Sequence, residues 1–309
     1  MRILFMGTPD FALFSLKALC ESGEEICGVV TQPDKPKNRG HHLTPPPVKV
    51  YAEERGLPVY QPATLKDESF DNLLHELAPE LIVVVAYGKI LPKNVLDYPK
   101  YGCVNVHGSL LPEYRGAAPM QRAIIDGKKV TGITTMYMAQ GLDTGDMLLK
   151  GEMEIEENDN FETVHDKLGA LGAELLLQTV KGLSEGSITP IPQGEGATYA
   201  SKIEKTDCRI DFSKGVEEVH NLIRGLSPIP LSYTNTPDGK LLKITKSEIS
   251  SRTPTGKSAG CVISLDGTIC VACADGAISL LGVVPEGKGK MSAKDFINGR
   301  KIKVGDILG

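Results

Sequence analysis

The run Leu81-Ile-Val-Val-Val-Ala86 constrains the fold more than any other part of the chain. Consecutive apolar residues with four β-branched side chains leave no wet face, so an extended segment here must be covered on both sides, as in a parallel sheet flanked by helices. The start of the chain fits the same architecture. Residues 2–6 read as an apolar strand, Phe11, Phe14, Leu16 and Leu19 supply an apolar helical face, and residues 26–31 read as the next strand. This β-α-β opening predicts an α/β fold, a doubly wound Rossmann-like and mostly parallel sheet. Its first turn, Gly7-Thr-Pro-Asp10, lacks the Gly-x-Gly-x-x-Gly pattern that lets a pyrophosphate approach, which excludes a nicotinamide dinucleotide enzyme. Thr8 or Asp10 is expected to cap the helix that follows.

A further strand is predicted where Cys103-Val-Asn-Val-His-Gly-Ser-Leu-Leu-Pro-Glu-Tyr-Arg-Gly116 begins. Side chains alternate along an extended backbone, so Val104 and Val106 take one face while Asn105 and His107 share the other. An amide donor and a titratable imidazole therefore stand together at the end of a strand, where open α/β sheets place their ligands. Gly108, Ser109, Pro112 and Gly116 keep the next segment irregular. Ser109 lacks the Gly-x-Ser-x-Gly elbow of an acyl-enzyme nucleophile, and a capping or ligand-contacting role is expected of it.

The pattern Asn-x-His-x-Ser-Leu-Leu-Pro-x-Tyr-Arg-Gly resembles the signature of the formyltransferases that use 10-formyltetrahydrofolate, and the similarity runs essentially end to end, to the tRNA-formylating branch of that family. The resemblance implies catalysis by Asn105, His107 and Asp143, the last in its Gly141-Leu-Asp-Thr-Gly145 context. It also implies that tetrahydrofolate is held by Ser109, Leu110, Leu111 and Pro112 together with Gly88 and Ile90 of the loop Tyr87-Gly-Lys-Ile-Leu-Pro92, that no metal is needed, and that the acceptor is methionyl initiator tRNA. The chemistry asks for such groups. A formyl carbon attacked by an amine passes through a tetrahedral oxyanion that Asn105 can stabilise, while His107 and Asp143 can move the proton from attacking to leaving nitrogen. Asp146 reads as a turn residue.

Residues 32–47 form an unusually long, polar βα connection. Lys35, Lys37 and Arg39 make it basic, and in the family the matching loop meets the tRNA acceptor arm. His41 and His42 diverge along an extended chain with no further ligand nearby, so a metal pair is rejected. Helices are expected at 48–54, 68–77, 119–126 and 161–181, the last ended by Gly182, with strands at 58–60, 132–138 and 147–155.

Residues 187–207 are rich in Pro, Gly and Thr and read as a linker between a catalytic domain, 1–186, and a module, 208–309, in which a helix at 216–226 precedes short β segments near 241–249, 260–265, 268–272 and 277–284. These predict a small β-barrel, similar in the family to an oligonucleotide-binding one. Residues 1–207 carry 20 basic against 29 acidic side chains, net −9, and 208–309 carry 14 against 10, net +4, which suggests that the second part meets a polyanion. Cys270-Val-Ala-Cys273 has no second pair at zinc spacing and reads as core. Seven scattered cysteines point to a reducing compartment. No apolar run long enough to span a bilayer occurs, and the chain is expected to be a cytoplasmic monomer without membrane attachment. Beside a formyl hydrolase, in which water would replace the amine in the same site, a formyltransferase acting on a small amine and an inactive RNA-binding relative are the competing readings. The intact Asn105, His107 and Asp143 set weighs against the inactive relative and the basic module against the small-amine enzyme.

Overall fold

The structure is a computed structural model that describes residues 1–37, 42–299 and 301–309. It divides into two compact units: Met1–Gly116, Gly132–Met153 and His165–Tyr199 make the first, and Ala117–Thr131, Glu154–Val164 and Ala200–Gly309 the second. Residues 117–131 and 154–164, which the sequence reading grouped with the catalytic part, thus pack within the second unit.

The chain begins β1 (Arg2–Gly7), α1 (Asp10–Glu21), β2 (Glu25–Val30), β3 (Lys35–Lys37), β4 (His42–Thr44), α2 (Pro47–Glu54), β5 (Val59–Tyr60), α3 (Glu68–Leu77), β6 (Leu81–Val85), α4 (Lys93–Leu96), β7 (Cys103–His107) and β8 (Arg115–Gly116). It continues with α5 (Pro119–Ile125), β9 (Val130–Tyr137), β10 (Met147–Glu154), α6 (Phe161–Glu185) and β11 (Tyr199–Ala200). The main sheet has the order β10-β9-β7-β6-β1-β2-β5. From β7 to β5 every pairing is parallel, and β9 lies antiparallel to β7. β6, the continuous apolar run, is buried along its whole length, as two-sided coverage requires. On one face Leu4, Met6, Val30, Ile82 and Val84 pack with Phe70, Leu74 and Leu77 of α3. On α6, Gly172 lets the helix approach β7 closely: a Cβ there would stand 3.0 Å from a Val106 methyl.

The second unit holds α7 (Val216–Gly225), β12 (Ser232–Asn235), β13 (Leu241–Ser251), β14 (Val262–Ser264), β15 (Ile269–Ala272), β16 (Ala277–Pro285), β17 (Met291–Ser292) and α8 (Ala293–Asn298). Its antiparallel sheet runs β12-β13-β16-β15-β14, with β17 also on β16. Register shifts between β13 and β16 bend this sheet into a small open barrel over Val219, Ile223, Leu242, Ile244, Ile278, Leu280 and Phe296. Cys273 is buried in that core, and all seven cysteines are free thiols.

Several local expectations are corrected. No side chain caps α1. Its N-cap is Pro9, the Asp10 carboxylate accepts from the adjacent Phe11 N–H and faces His165 Nε2 at 3.5 Å, and the Thr8 hydroxyl instead donates to the Tyr87 carbonyl and accepts from Gln32 N–H, both at 3.3 Å. α6 does not stop at Gly182 but runs to Glu185, before Gly186 at φ +66°. Gly182 is there for space, since a Cβ would meet Ile188 at 2.6 Å. The long polar connection contains a hairpin, β3 antiparallel to β4.

Candidate active site

Strand β7 delivers Asn105 and His107 as its alternation dictates. Asn105 pairs with Val84 on one side and Met136 on the other, and His107 with Thr134. The His107 side chain is 5 % exposed, and its Nε2 lies 3.0 Å from the Tyr114 carbonyl, so that nitrogen donates. Its Nδ1 faces the Asp143 carboxylate, 3.7 Å from Oδ2. Both ring nitrogens therefore look onto acceptors, and the ring can donate at both only with two protons. The Asn105 side chain is half-buried and makes no hydrogen bond to any described residue, so its amide donors are available.

Asp143 is held at its carboxylate and at its carbonyl. Its backbone is left-handed, φ +51°, a conformation Asp tolerates better than most residues. Its Oδ2 accepts the Gly116 N–H at 2.8 Å. Its carbonyl accepts the Gln193 amide at 2.8 Å, and the same amide group donates to the Gly145 carbonyl at 2.8 Å. The Gln193 oxygen in turn accepts from Nε and Nη2 of Arg115, at 3.0 and 2.8 Å. Gln193 falls in the segment read as linker, and nothing in its local sequence marks it. Contact with a residue fifty positions earlier is visible only in the fold.

The loop after β7 is fastened to its neighbours. Thr134 Oγ1 donates to the Ser109 carbonyl at 2.8 Å and accepts Leu111 N–H at 3.1 Å. The buried Ser109 hydroxyl donates to the Glu113 carbonyl at 2.6 Å, closing the turn as a capping group would. Leu111 is fully buried against Met136 and Met147, and Lys150 donates to its carbonyl. Leu110 and Pro112 are half-buried. In the loop after β6, Tyr87 is buried and its carbonyl accepts from Gln32, Gly88 takes φ +82°, and Ile90 is 81 % exposed. Of the proposed ligand contacts, Ile90 thus offers apolar surface to solvent, while Leu111 is buried with both its N–H and its carbonyl already hydrogen-bonded within the protein.

In the basic hairpin Lys35 is exposed, and Lys37 pairs with His42 through the backbone; Arg39 and His41 lie outside the described residues. Asp34 is turned away from this charge, accepting Lys49 at 2.9 Å and Gln61 at 2.8 Å, which together hold its carboxyl below the usual range, Gln61 most. No group of three or more His, Cys, Asp or Glu side chains suited to a metal ion occurs among the described residues.

Residues 1–180 match the family described as formyl transferase, and residues 202–301 the formyl transferase C-terminal domain. A methionyl-tRNA formyltransferase from Bacillus subtilis is 49% identical over 312 residues, covering 100% of this chain and 98% of the relative. The chain belongs to the methionyl-tRNA formyltransferase family. Another member, from Caldanaerobacter subterraneus subsp. tengcongensis, is 49% identical over all of both chains. Solved structures share the fold at low identity. HypX from Aquifex aeolicus in complex with tetrahydrofolic acid superposes with TM-score 0.66 at 17% identity over 98% of this chain, which spans about half the length of that protein (48%). The N-formyltransferase from Helicobacter canadensis, in complex with folinic acid and dTDP-3-aminofucose, gives 0.69 at 19% identity, covering 91% of this chain and 98% of that one.

Proposed function

We propose that the chain, working as a cytoplasmic monomer, transfers the formyl group of 10-formyltetrahydrofolate to the α-amino group of methionine esterified to initiator tRNA. The single observation carrying the catalytic assignment is the convergence of Asn105, His107 and Asp143, from a strand and a distant loop, with His107 Nδ1 3.7 Å from the Asp143 carboxylate. The amine attacks the formyl carbon, a tetrahedral oxyanion forms, and the bond from that carbon to N10 breaks, leaving N-formylmethionine and tetrahydrofolate. The free amide of Asn105 donates to the oxyanion. His107 takes up the proton lost by the amine and returns one to N10, and the Asp143 carboxylate balances the doubly protonated ring and fixes its orientation. Burial of His107 and its bond to Tyr114 keep the imidazole from turning. Apolar, exposed Ile90 suits the flat face of a pterin, half-buried Leu110 and Pro112 can flank it, and exposed Lys35 suits a phosphate. The cytoplasmic assignment is supported by seven free thiols and by an activity that serves translation initiation.

His107→Asn, Asp143→Asn and Asn105→Ala are each expected to lower kcat by about 10²- to 10⁴-fold, with donor KM little changed and folding intact. The assay offers 10-formyltetrahydrofolate with either charged initiator tRNA or small amines. Unchanged kcat at saturation would sink the catalytic roles, and formylation of a small amine alone would move the acceptor.

A further inference from the structure

We propose that Gln193 is a positioning residue for the transfer reaction, acting through Asp143; this rests on the formyl-transfer reading above. Residues 189–199 are exposed with one exception, half-buried Gln193. Its side chain uses both kinds of hydrogen-bonding group. The NH₂ bridges the carbonyls of Asp143 and Gly145, and the oxygen receives the Arg115 fork. Only an uncharged primary amide of this length satisfies all three neighbours, because two are acceptors and one is a donor. The bridge is anchored at one end on the left-handed residue that carries the proposed catalytic carboxylate, and Gly145 at its other end is pinned: a Cβ there would collide with the Tyr137 carbonyl.

The surrounding segment acts as a strap. Ile191 pairs antiparallel with Met147. Thr198 Oγ1 accepts Tyr114 N–H at 2.8 Å, and the Thr198 carbonyl accepts Arg115 N–H at 2.9 Å. Tyr114 supplies the carbonyl that holds His107, so one stretch of chain secures the carbonyl on one side of the imidazole and the carboxylate on the other. A displacement of about 1 Å in such a group costs on the order of 10²-fold in rate.

The test measures kcat and KM for Gln193→Met, Gln193→Glu, Asp143→Asn and the Gln193→Met/Asp143→Asn pair, using single-turnover formylation of charged initiator tRNA. Gln193→Met is expected to lower kcat about 10- to 100-fold with donor KM within about 2-fold. On the Asp143→Asn background, which retains the carbonyl but has no carboxylate to position, the same change is expected to cost less than about 2-fold. Gln193→Glu keeps the shape and the Arg115 partner but turns oxygens toward two carbonyls, and is expected to fall as far as Gln193→Met; it carries the test if Gln193→Met unfolds at the assay temperature. Full activity in both variants, or an equal fractional loss with and without Asp143, overturns the proposal. A native chain that formylates no tRNA would instead overturn the functional reading.

Discussion

His220 in the second unit is 4 % exposed; its Nδ1 faces the Ser247 hydroxyl at 3.0 Å and its Nε2 the Glu157 carbonyl at 3.3 Å. The carbonyl can only accept, so Nε2 holds the proton and Nδ1 accepts from Ser247, the neutral ring. Burial pushes the pKa of His220 below its ordinary value of about 6.5, with nearby Arg224 adding to the shift against Glu217 and Glu157. The unfolded chain then takes up a proton before the folded one, so this contribution to stability is complete above about pH 6.5 and is lost as pH falls toward the lower folded value. His220→Gln is expected to flatten the fall in denaturant midpoint between about pH 7.5 and 5. An identical slope in both proteins would show that the carboxylates alone set it. Nothing around His220 in the sequence tells a structural histidine from a catalytic one. At His107 the alternation with Asn105 marks a candidate, because a strand's period of two puts both polar groups on one face. Gln193 and the Tyr114 carbonyl stayed invisible because their roles depend on partners distant in sequence or on backbone atoms.

Elements announced by composition were readable, and those set by neighbours were not. The apolar run of β6 and the amphipathic pattern of α3 needed only local sequence, and α3 spans the residues expected of it. The end of α6 depended on whether Gly182 was a stop or a fitted space, which only the Ile188 side chain decides. Gly169 on the same helix makes the point measurable. A methyl there would gain about 1 kcal/mol of helix propensity. It would also stand 2.5 Å from the Phe14 ring. Overpacking of this kind costs about 1–3 kcal/mol, so Gly169→Ala is expected to lower the free energy of unfolding in urea; a rise would mean that Phe14 yields freely. The hairpin β3/β4 also escaped the sequence reading, having only Lys35–Lys37 and His42–Thr44 to declare it. With Asp34 tied to Lys49 and Gln61, nothing in that pair offsets the hairpin's positive charge. Lys35→Ala and Arg39→Ala are each expected to raise the KM for tRNA about 2- to 10-fold at moderate salt, and less as salt rises. An effect independent of ionic strength would argue against phosphate contact.

At the scale of the whole molecule, the charge division along the sequence does not survive the fold. Counted over the compact units, the first carries 15 basic and 21 acidic side chains, net −6, and the second 19 and 18, net +1, because the acidic stretch 154–164 belongs to the second. A net attraction of the C-terminal part for polyanions is therefore weaker than residues 208–309 alone suggest, and placed contacts must carry more of the tRNA affinity. The same interleaving predicts that no single cut separates the units. In the second, Arg224 donates to the carbonyls of Glu156 and Asp159 at 3.0 and 2.8 Å, and α7 lies so close to α5 that a Cβ on Gly225 would stand 2.8 Å from Ile125. A fragment of residues 208–309 loses α5 and both carbonyl partners of Arg224. It is expected to show weak near-ultraviolet dichroism and a broad thermal transition, and a sharp cooperative one would contradict this. The strap at 191–198 has a consequence in time rather than space. Synthesis delivers His107 and then Asp143, but Gln193 leaves the ribosome fifty residues after Asp143. On the roles proposed above, a nascent chain in that interval carries the groups assigned to the reaction without the side chain assigned to hold them, and activity is expected only once the strap arrives.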